Sequence, residues 1–238
     1  MKKLWIYSLR FLLGISFLGL TYASCFALVT ITDDGDGVPA ATENLVPNPN
    51  GNGTGDGNGD GTDDFLQGSV TSLQDITGSH YVTLENTGSY QQTNVRAVSP
   101  PADAPPDITF PYGMFEFNVS GFQSGSNITM KIMIPKDTSI TGYWKKNATT
   151  SQWENIASNI VHGPPYAPTK TIITFTIRDG GPFDEDGSIN GEIVDQGGPG
   201  APGGGEITAV PTINMAGMVF FFLLVLGTTV YMKKKTLI

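Results

Sequence analysis

The 238-residue chain has one cysteine, Cys25, so no intramolecular disulfide can form. Whatever fold it adopts stands on its core or on bound metal. Histidine is almost as scarce. His80 and His162 each stand alone, with no Cys or second His at the spacing of a zinc site. A lone histidine in a strand or turn more often serves packing or the surface. No Gly-x-Ser-x-Gly elbow marks a nucleophile, although a Ser-His-Asp triad assembles in space and needs no such motif. Phosphate-cradling loops are missing too, because the glycines here alternate with aspartates, which repel phosphate. Positive charge is sparse: 13 Lys and Arg stand against 22 Asp and Glu, for a net charge of −9. That balance argues against nucleic acid and anionic lipid as ligands and favours cations. Paired carboxylates are possible anywhere in so acidic a chain, so they single out no glycosidase site. The sequence names no catalytic residue.

Long apolar runs occur only at the two ends. Lys2, Lys3 and Arg10 precede or flank the apolar stretch Phe11 to Leu20, and mostly small residues follow from Thr21 to Ala27. This pattern predicts a secretory signal peptide over residues 1–24. At the other end, Met215 to Met232 carries no charge, and Lys233, Lys234 and Lys235 follow at once. Eighteen residues at about 1.5 Å each span roughly 27 Å, close to the hydrocarbon thickness of a bilayer. The spacing predicts one C-terminal transmembrane helix, with the lysines on the cytoplasmic side and the preceding chain exported. A buried core helix is the alternative, but Phe220 to Leu226 is apolar all round. Six basic residues lie in these ends, so the stretch between them keeps seven against all 22 acidic ones.

Residues 31–67 are rich in Gly, Asp and Asn and poor in large apolar side chains, which predicts an extended segment without a core. Two stretches carry calcium-loop spacing. A hard cation takes oxygens from alternate residues of a tight loop, a glycine at position 6 and a carboxylate at position 12. Asp56, Asn58, Asp60 and Gly61 fill positions 1, 3, 5 and 6, Thr62 offers its carbonyl at 7, and Gln67 stands at 12. Placing Glu43 at position 12 of the earlier stretch sets Thr32, Asp34, Asp36 and Gly37 at 1, 3, 5 and 6. Each loop lacks one preferred ligand, so weak calcium binding, about 10⁻⁴ to 10⁻³ M, is expected. A solvated Gly/Asp linker is the alternative.

Residues 68–195 read as short strands broken by turns. Phe115, Phe117 and Val119 alternate with Glu116 and Asn118. Ile128, Met130, Ile132 and Ile134 alternate with polar partners, as do Ile173, Phe175 and Ile177. Period-two patterning predicts half-buried antiparallel strands and an all-β, Ig-like sandwich. Within it, Asp184, Asp186, Ser188 and Asn190 carry oxygens at alternating positions, with the Asp195 carboxylate at the twelfth. They read as a third, degenerate cation site (Asp184, Asp186, Asp195) or as a turn bonding its own backbone. Tyr143, Trp144, Trp153 and Tyr166 read as an aromatic sugar- or protein-binding face or as ordinary packing.

Three stretches carry resemblances to known families. Asp34-Gly-Asp-Gly-Val-Pro39 with Glu43, and Gly55-Asp-Gly-Asn-Gly-Asp-Gly-Thr62, resemble thrombospondin type 3-like calcium repeats, which implies calcium wrapped in a wiry array. Asn94-Val-Arg-Ala-Val98, Thr109-Phe-Pro-Tyr-Gly-Met-Phe-Glu-Phe117, Gly142-Tyr-Trp-Lys145 and Asp179-Gly-Gly-Pro-Phe-Asp184 resemble the bacterial choice-of-anchor U domain. That likeness implies an exported domain and no particular ligand or activity. Val210, Pro211, Thr212 and Ile213, with Gly217 and the apolar run, are similar to an IPTL-CTERM sorting signal. It implies processing by an exosortase-type membrane enzyme.

The expected organisation is a leader at 1–24, an acidic calcium-binding segment at 31–67, a sandwich at 68–195, a Gly/Pro-rich linker at 196–209 and a sorting signal with its anchor at 210–238. The expected function is a non-enzymatic, envelope-anchored surface protein, calcium-stabilised and adhesive or structural. Its partners would be the membrane, the sorting enzyme and an extracellular protein or glycan, with no nucleic acid. An envelope hydrolase and a sorting substrate with no ligand of its own are the alternatives.

Overall fold

The computed structural model describes residues 33–203. Among them run β1 (Val70–Gln74), β2 (Tyr81–Asn86), β3 (Gln91–Val98), β4 (Ile108–Thr109), β5 (Met114–Ser120) and β6 (Asn127–Pro135). Then come β7 (Gly142–Lys146), β8 (Trp153–Asn155), β9 (Ala157–His162), β10 (Lys170–Arg178) and β11 (Glu192–Pro202). They build two antiparallel sheets, one in the order β1-β2-β6-β10-β9, the other β3-β5-β11-β7-β8 with β4 paired to β11. This order differs from that of an immunoglobulin domain, so the fold is an all-β, two-sheet one without the Ig-like topology.

Alternation makes the core. In β5, Phe115, Phe117 and Val119 are buried while Glu116 and Asn118 are half-buried on the opposite face. In β6 and β10, Ile128, Met130, Ile132, Ile173, Phe175 and Ile177 turn inward against them. Each fully buried side chain of this size contributes about 1.5–3 kcal/mol over leaving it exposed. The β6–β10 ladder runs without a break from Lys170 opposite Pro135 to Arg178 opposite Asn127.

Three expectations are corrected. The acidic segment is not extended. It folds against the β1–β2 edge, burying Val38, Ala40 and Val46, and forms the short helix α1 (Ala40–Glu43) and a 3-10 turn at Asp64–Leu66. Those few apolar residues suffice because an existing sheet supplies the surface they cover. The start of the stretch expected to be a linker is a strand instead: Gln196 to Pro202 belong to β11, the middle strand of the second sheet. Glycine is required there. A Cβ on Gly197 would lie 2.5 Å from the Tyr143 ring, and one on Gly200 would lie 2.4 Å from the Trp144 indole.

The third correction concerns the membrane. Among the described residues no helix is long and apolar enough to cross one. The single-pass anchor, the membrane partner and the envelope localisation are therefore not carried further. With them go the sorting enzyme and the adhesive, hydrolase and sorting-substrate readings that rested on export. The leader at 1–24 and the stretch 210–238, with Val210, Pro211, Thr212, Ile213 and Gly217, lie outside the described residues.

Candidate metal centre

The first loop begins with three aspartates in four positions. Asp33, Asp34 and Asp36 each offer a carboxylate oxygen within 4.8 Å of the others. Gly37 holds φ at +104°, which turns the chain at position 6 and returns it to α1. α1 then delivers Glu43, whose Oε1 accepts the Ser72 N–H of β1 at 3.0 Å. A bulge in β3 holds the loop from the other side. Asn94 adopts φ +56° there, and the Val95 N–H donates to the Asp36 carbonyl at 3.0 Å. The loop is thus clamped between two strands belonging to different sheets.

Charge in this loop is crowded and dry. Asp36 and Glu43 are fully buried. Asp36 Oδ1 accepts the Val38 N–H at 2.6 Å. Asp34 Oδ2, Asp36 Oδ2 and Glu43 Oε2 are buried without a hydrogen-bond partner. Burial, with the charges of Asp36 and Asp34, pushes the Glu43 carboxyl up to about 9. Burial and Asp36 push Asp34 up to about 6, and burial raises Asp36 as well. A buried carboxylate without a counter-charge is costly, so such a cluster either takes up protons or takes up a cation. All its donors are hard oxygens, which suit calcium or magnesium and not zinc.

The second loop is wound around its own side chains. Asp56 accepts the Gly59 and Gly61 N–H groups at 2.7 and 2.9 Å. Asn58 Oδ1 accepts the Asp60 N–H at 3.1 Å, and Asp60 Oδ1 accepts that of Thr62 at 2.8 Å. Gln67 closes the loop, donating to Asp60 Oδ1 at 3.3 Å and to the Thr62 carbonyl at 3.2 Å. Gly61 takes φ +91° at position 6, as Gly37 does in the first loop.

Sequence reasoning missed two members. Asp33 belongs to the first triad, next to the positions that the twelve-residue frame assigned. Asp64 occupies position 9 of the second loop, where a ligand is common, so the spacing could have found it. Its carboxyl turns inward, accepting the Gly57 N–H at 2.9 Å and the Ser72 hydroxyl of β1. Burial, with Asp56 and Asp60 nearby, pushes it up to about 7. Lys170 is buried close enough to feel the Asp64 charge, yet burial still lowers its pKa. Asp64 and Glu43, both tied to Ser72, join the two loops through one residue of the sheet.

The third candidate set divides. Asp184 accepts the Val194 and Gly180 N–H groups at 3.0 and 2.8 Å. Asp186 is exposed and bonds Ser188 and Asn190 within its own turn. Asp195 lies in the core, where it accepts the Tyr143 hydroxyl at 2.7 Å and stands 2.9 Å from Lys145 Nζ. These groups are partnered by backbone and side chains in separate surroundings. The aromatic residues separate likewise. Tyr143 stacks on Phe175 at 3.8 Å in the core, Trp153 tilts against Phe110, and Tyr166 is exposed. His80 pairs with Asp75 at 2.8 Å, and His162 with the Thr171 hydroxyl at 2.9 Å. No protein-family model, curated protein or solved structure matches this chain.

Proposed function

We propose that this chain is a cation-loaded β-sandwich module in which calcium, or a similar hard divalent ion, fastens the acidic segment to the sheets. The observation that carries this reading is the set of three buried carboxylate oxygens without partners: Asp34 Oδ2, Asp36 Oδ2 and Glu43 Oε2. A divalent ion held by Asp33, Asp34 and Asp36, whose carboxylate oxygens lie within 4.8 Å of one another, would offset their mutual repulsion, which Glu43 also feels. The second loop, with Asp56, Asn58, Asp60, the Thr62 carbonyl and Gln67, supplies a neighbouring oxygen cage. Calcium suits both better than magnesium, because it accepts irregular sets of six to eight oxygens while magnesium demands a near-octahedral one. The likeness of both loops to thrombospondin type 3-like repeats supports the same ion.

The test is calorimetric titration of calcium into the chelator-treated full chain, alongside Asp36→Asn/Glu43→Gln and Asp56→Asn/Asp60→Asn double variants. Binding at about 10⁻⁴ M or tighter, lost site by site in the two variants, is the expected result. No heat and no change in melting temperature at millimolar calcium would overturn the reading.

A further inference from the structure

A second group of buried charges lies in the intersheet core, away from the acidic loops. Lys145 is 2% exposed and Asp195 is 0% exposed at the side chain, and Nζ stands 2.9 Å from Oδ1. Burying a lysine this completely between two sheets is rare, since its ammonium gives up all hydration. The ladder explains the meeting. Lys145 of β7 is opposite Gly197 of β11, and Asp195 lies two residues before Gly197 on the same face. Diagonal neighbours on adjacent antiparallel strands are within reach of a long side chain. Tyr143, two residues before Lys145, shares that face. Its hydroxyl donates to Asp195 Oδ2 at 2.7 Å, while its ring lies flat on Phe175.

Two details go beyond an ordinary ion pair. Oδ1 accepts no hydrogen bond although Nζ is only 2.9 Å away, so the nitrogen stands beside the carboxyl group, off the hydrogen-bonding line. Burial also favours the uncharged acid at Asp195 against the pull of the Lys145 charge. The surroundings are aromatic and dry, and both strands are held in register by β5 on one side and β8 on the other. Reactants fixed this way meet with an effective concentration far above any attainable in solution.

We propose that Lys145 and Asp195 condense into an intramolecular amide that cross-links β7 to β11. The proton balance is closed within the pair. The Lys145 ammonium passes one proton to Asp195 Oδ1, leaving a neutral amine and a neutral acid. The amine lone pair then attacks Asp195 Cγ, forming the Nζ–Cγ bond and placing negative charge on Oδ2. Tyr143 donates its hydrogen bond to that oxygen, and burial keeps the phenol protonated and able to donate. A proton moves from the new C–N nitrogen to the Oδ1 hydroxyl, the Cγ–Oδ1 bond breaks, and one water leaves. Nothing is oxidised or reduced. The product replaces a buried pair of charges with a neutral group, in a chain whose single cysteine cannot provide a disulfide.

Mass spectrometry of the purified full chain, under denaturing conditions and after digestion, tests this directly. The expected result is a chain lighter by one water and a branched peptide joining Lys145 to Asp195, both lost in Lys145→Arg. A full-mass chain, or a wild-type digest without the branched peptide, overturns the proposal. The peptide map is needed because Asp-Gly steps such as Asp186-Gly187 can lose water by cyclising. Water loss confined to such a step, or persisting in Lys145→Arg, counts against the cross-link. Tyr143→Phe is expected to yield full-mass protein soon after synthesis and the linked form only slowly. An equal amount of linked chain from the start would overturn the role of Tyr143.

Discussion

The acidic loops and the intersheet core both bury carboxylates, but they balance them differently. In the core, Asp195 has its own cation, Lys145, brought by the neighbouring strand, and its second oxygen is held by Tyr143. In the loops, Asp34, Asp36 and Glu43 have only each other and a few backbone N–H groups, and one oxygen of each is left over. The core therefore carries its counter-charge within the chain. The first loop has no such cation among the described residues. Side-chain charge balance distinguishes a structural cluster from a receptive one better than acidity does, because Asp184, Asp186 and Asp195 looked just as suitable in sequence.

This contrast can be broken from its strong side first. Lys145→Met removes the partner of Asp195, as ion pair or as amide, and leaves Asp195 buried and alone. The expected loss is about 3–5 kcal/mol, read by urea unfolding, as for other buried pairs deprived of one partner. A smaller loss, under about 1 kcal/mol, would mean that water reaches Asp195. On the receptive side, calcium at a hundredfold excess over its dissociation constant should add about 2.7 kcal/mol of stability, reversed by chelator. Thermal melts with and without chelator check it. Gly197→Ala sharpens the comparison without touching charge, because its Cβ would meet the Tyr143 ring at 2.5 Å. Overpacking of this kind costs about 1–3 kcal/mol and should leave calcium binding unchanged.

The smallest effects separate charge from shape. Glu43→Gln keeps the side-chain volume and holds the group neutral at every pH, so the metal-free protein should be about equally stable near neutral pH and more stable above about pH 9, by up to about 1 kcal/mol. Calcium should then stabilise it less than it does the unaltered chain. The same logic fixes the pH dependence. The Glu43 carboxyl is raised in the fold from its ordinary 4.5 to about 9, so the stability that protonation contributes is present below about 4.5. It is lost progressively as pH rises from there through about 9. Asp34, at about 6, and Asp64, at about 7, act in the same direction over narrower windows. Metal-free melts should therefore fall with rising pH across this range, and saturating calcium should flatten the slope. A slope unchanged by calcium would separate these carboxylates from the ion.

Much of the sheet architecture was legible because period-two alternation survives wherever one strand face is dry. Phe115, Phe117 and Val119, and Ile173, Phe175 and Ile177, show it plainly. β11 was illegible beyond Asp195. Its Gly197-Gly198-Pro199-Gly200 reads as a spacer, since the demand there is for missing side chains under Tyr143 and Trp144, and absence has no period. The loop turns at Gly37 and Gly61 could be read from spacing, while the docking of the acidic segment could not. It depends on the Ser72 and Val95 N–H groups, which are backbone atoms on distant strands. Asp195 was read with the acidic turn beside it in sequence, although strand pleating sends it to the opposite side of the chain.

The place of β11 sets the order of events in folding. It enters between β5 and β7, so until Glu192 to Pro202 have been synthesised the second sheet exists only as two separate ladders, β3–β5 and β7–β8. Each would expose an unpaired edge towards the vacancy that β11 will fill. Closing the second sheet is then a long-range insertion, and until it happens the open edges are exposed to wrong strand pairing.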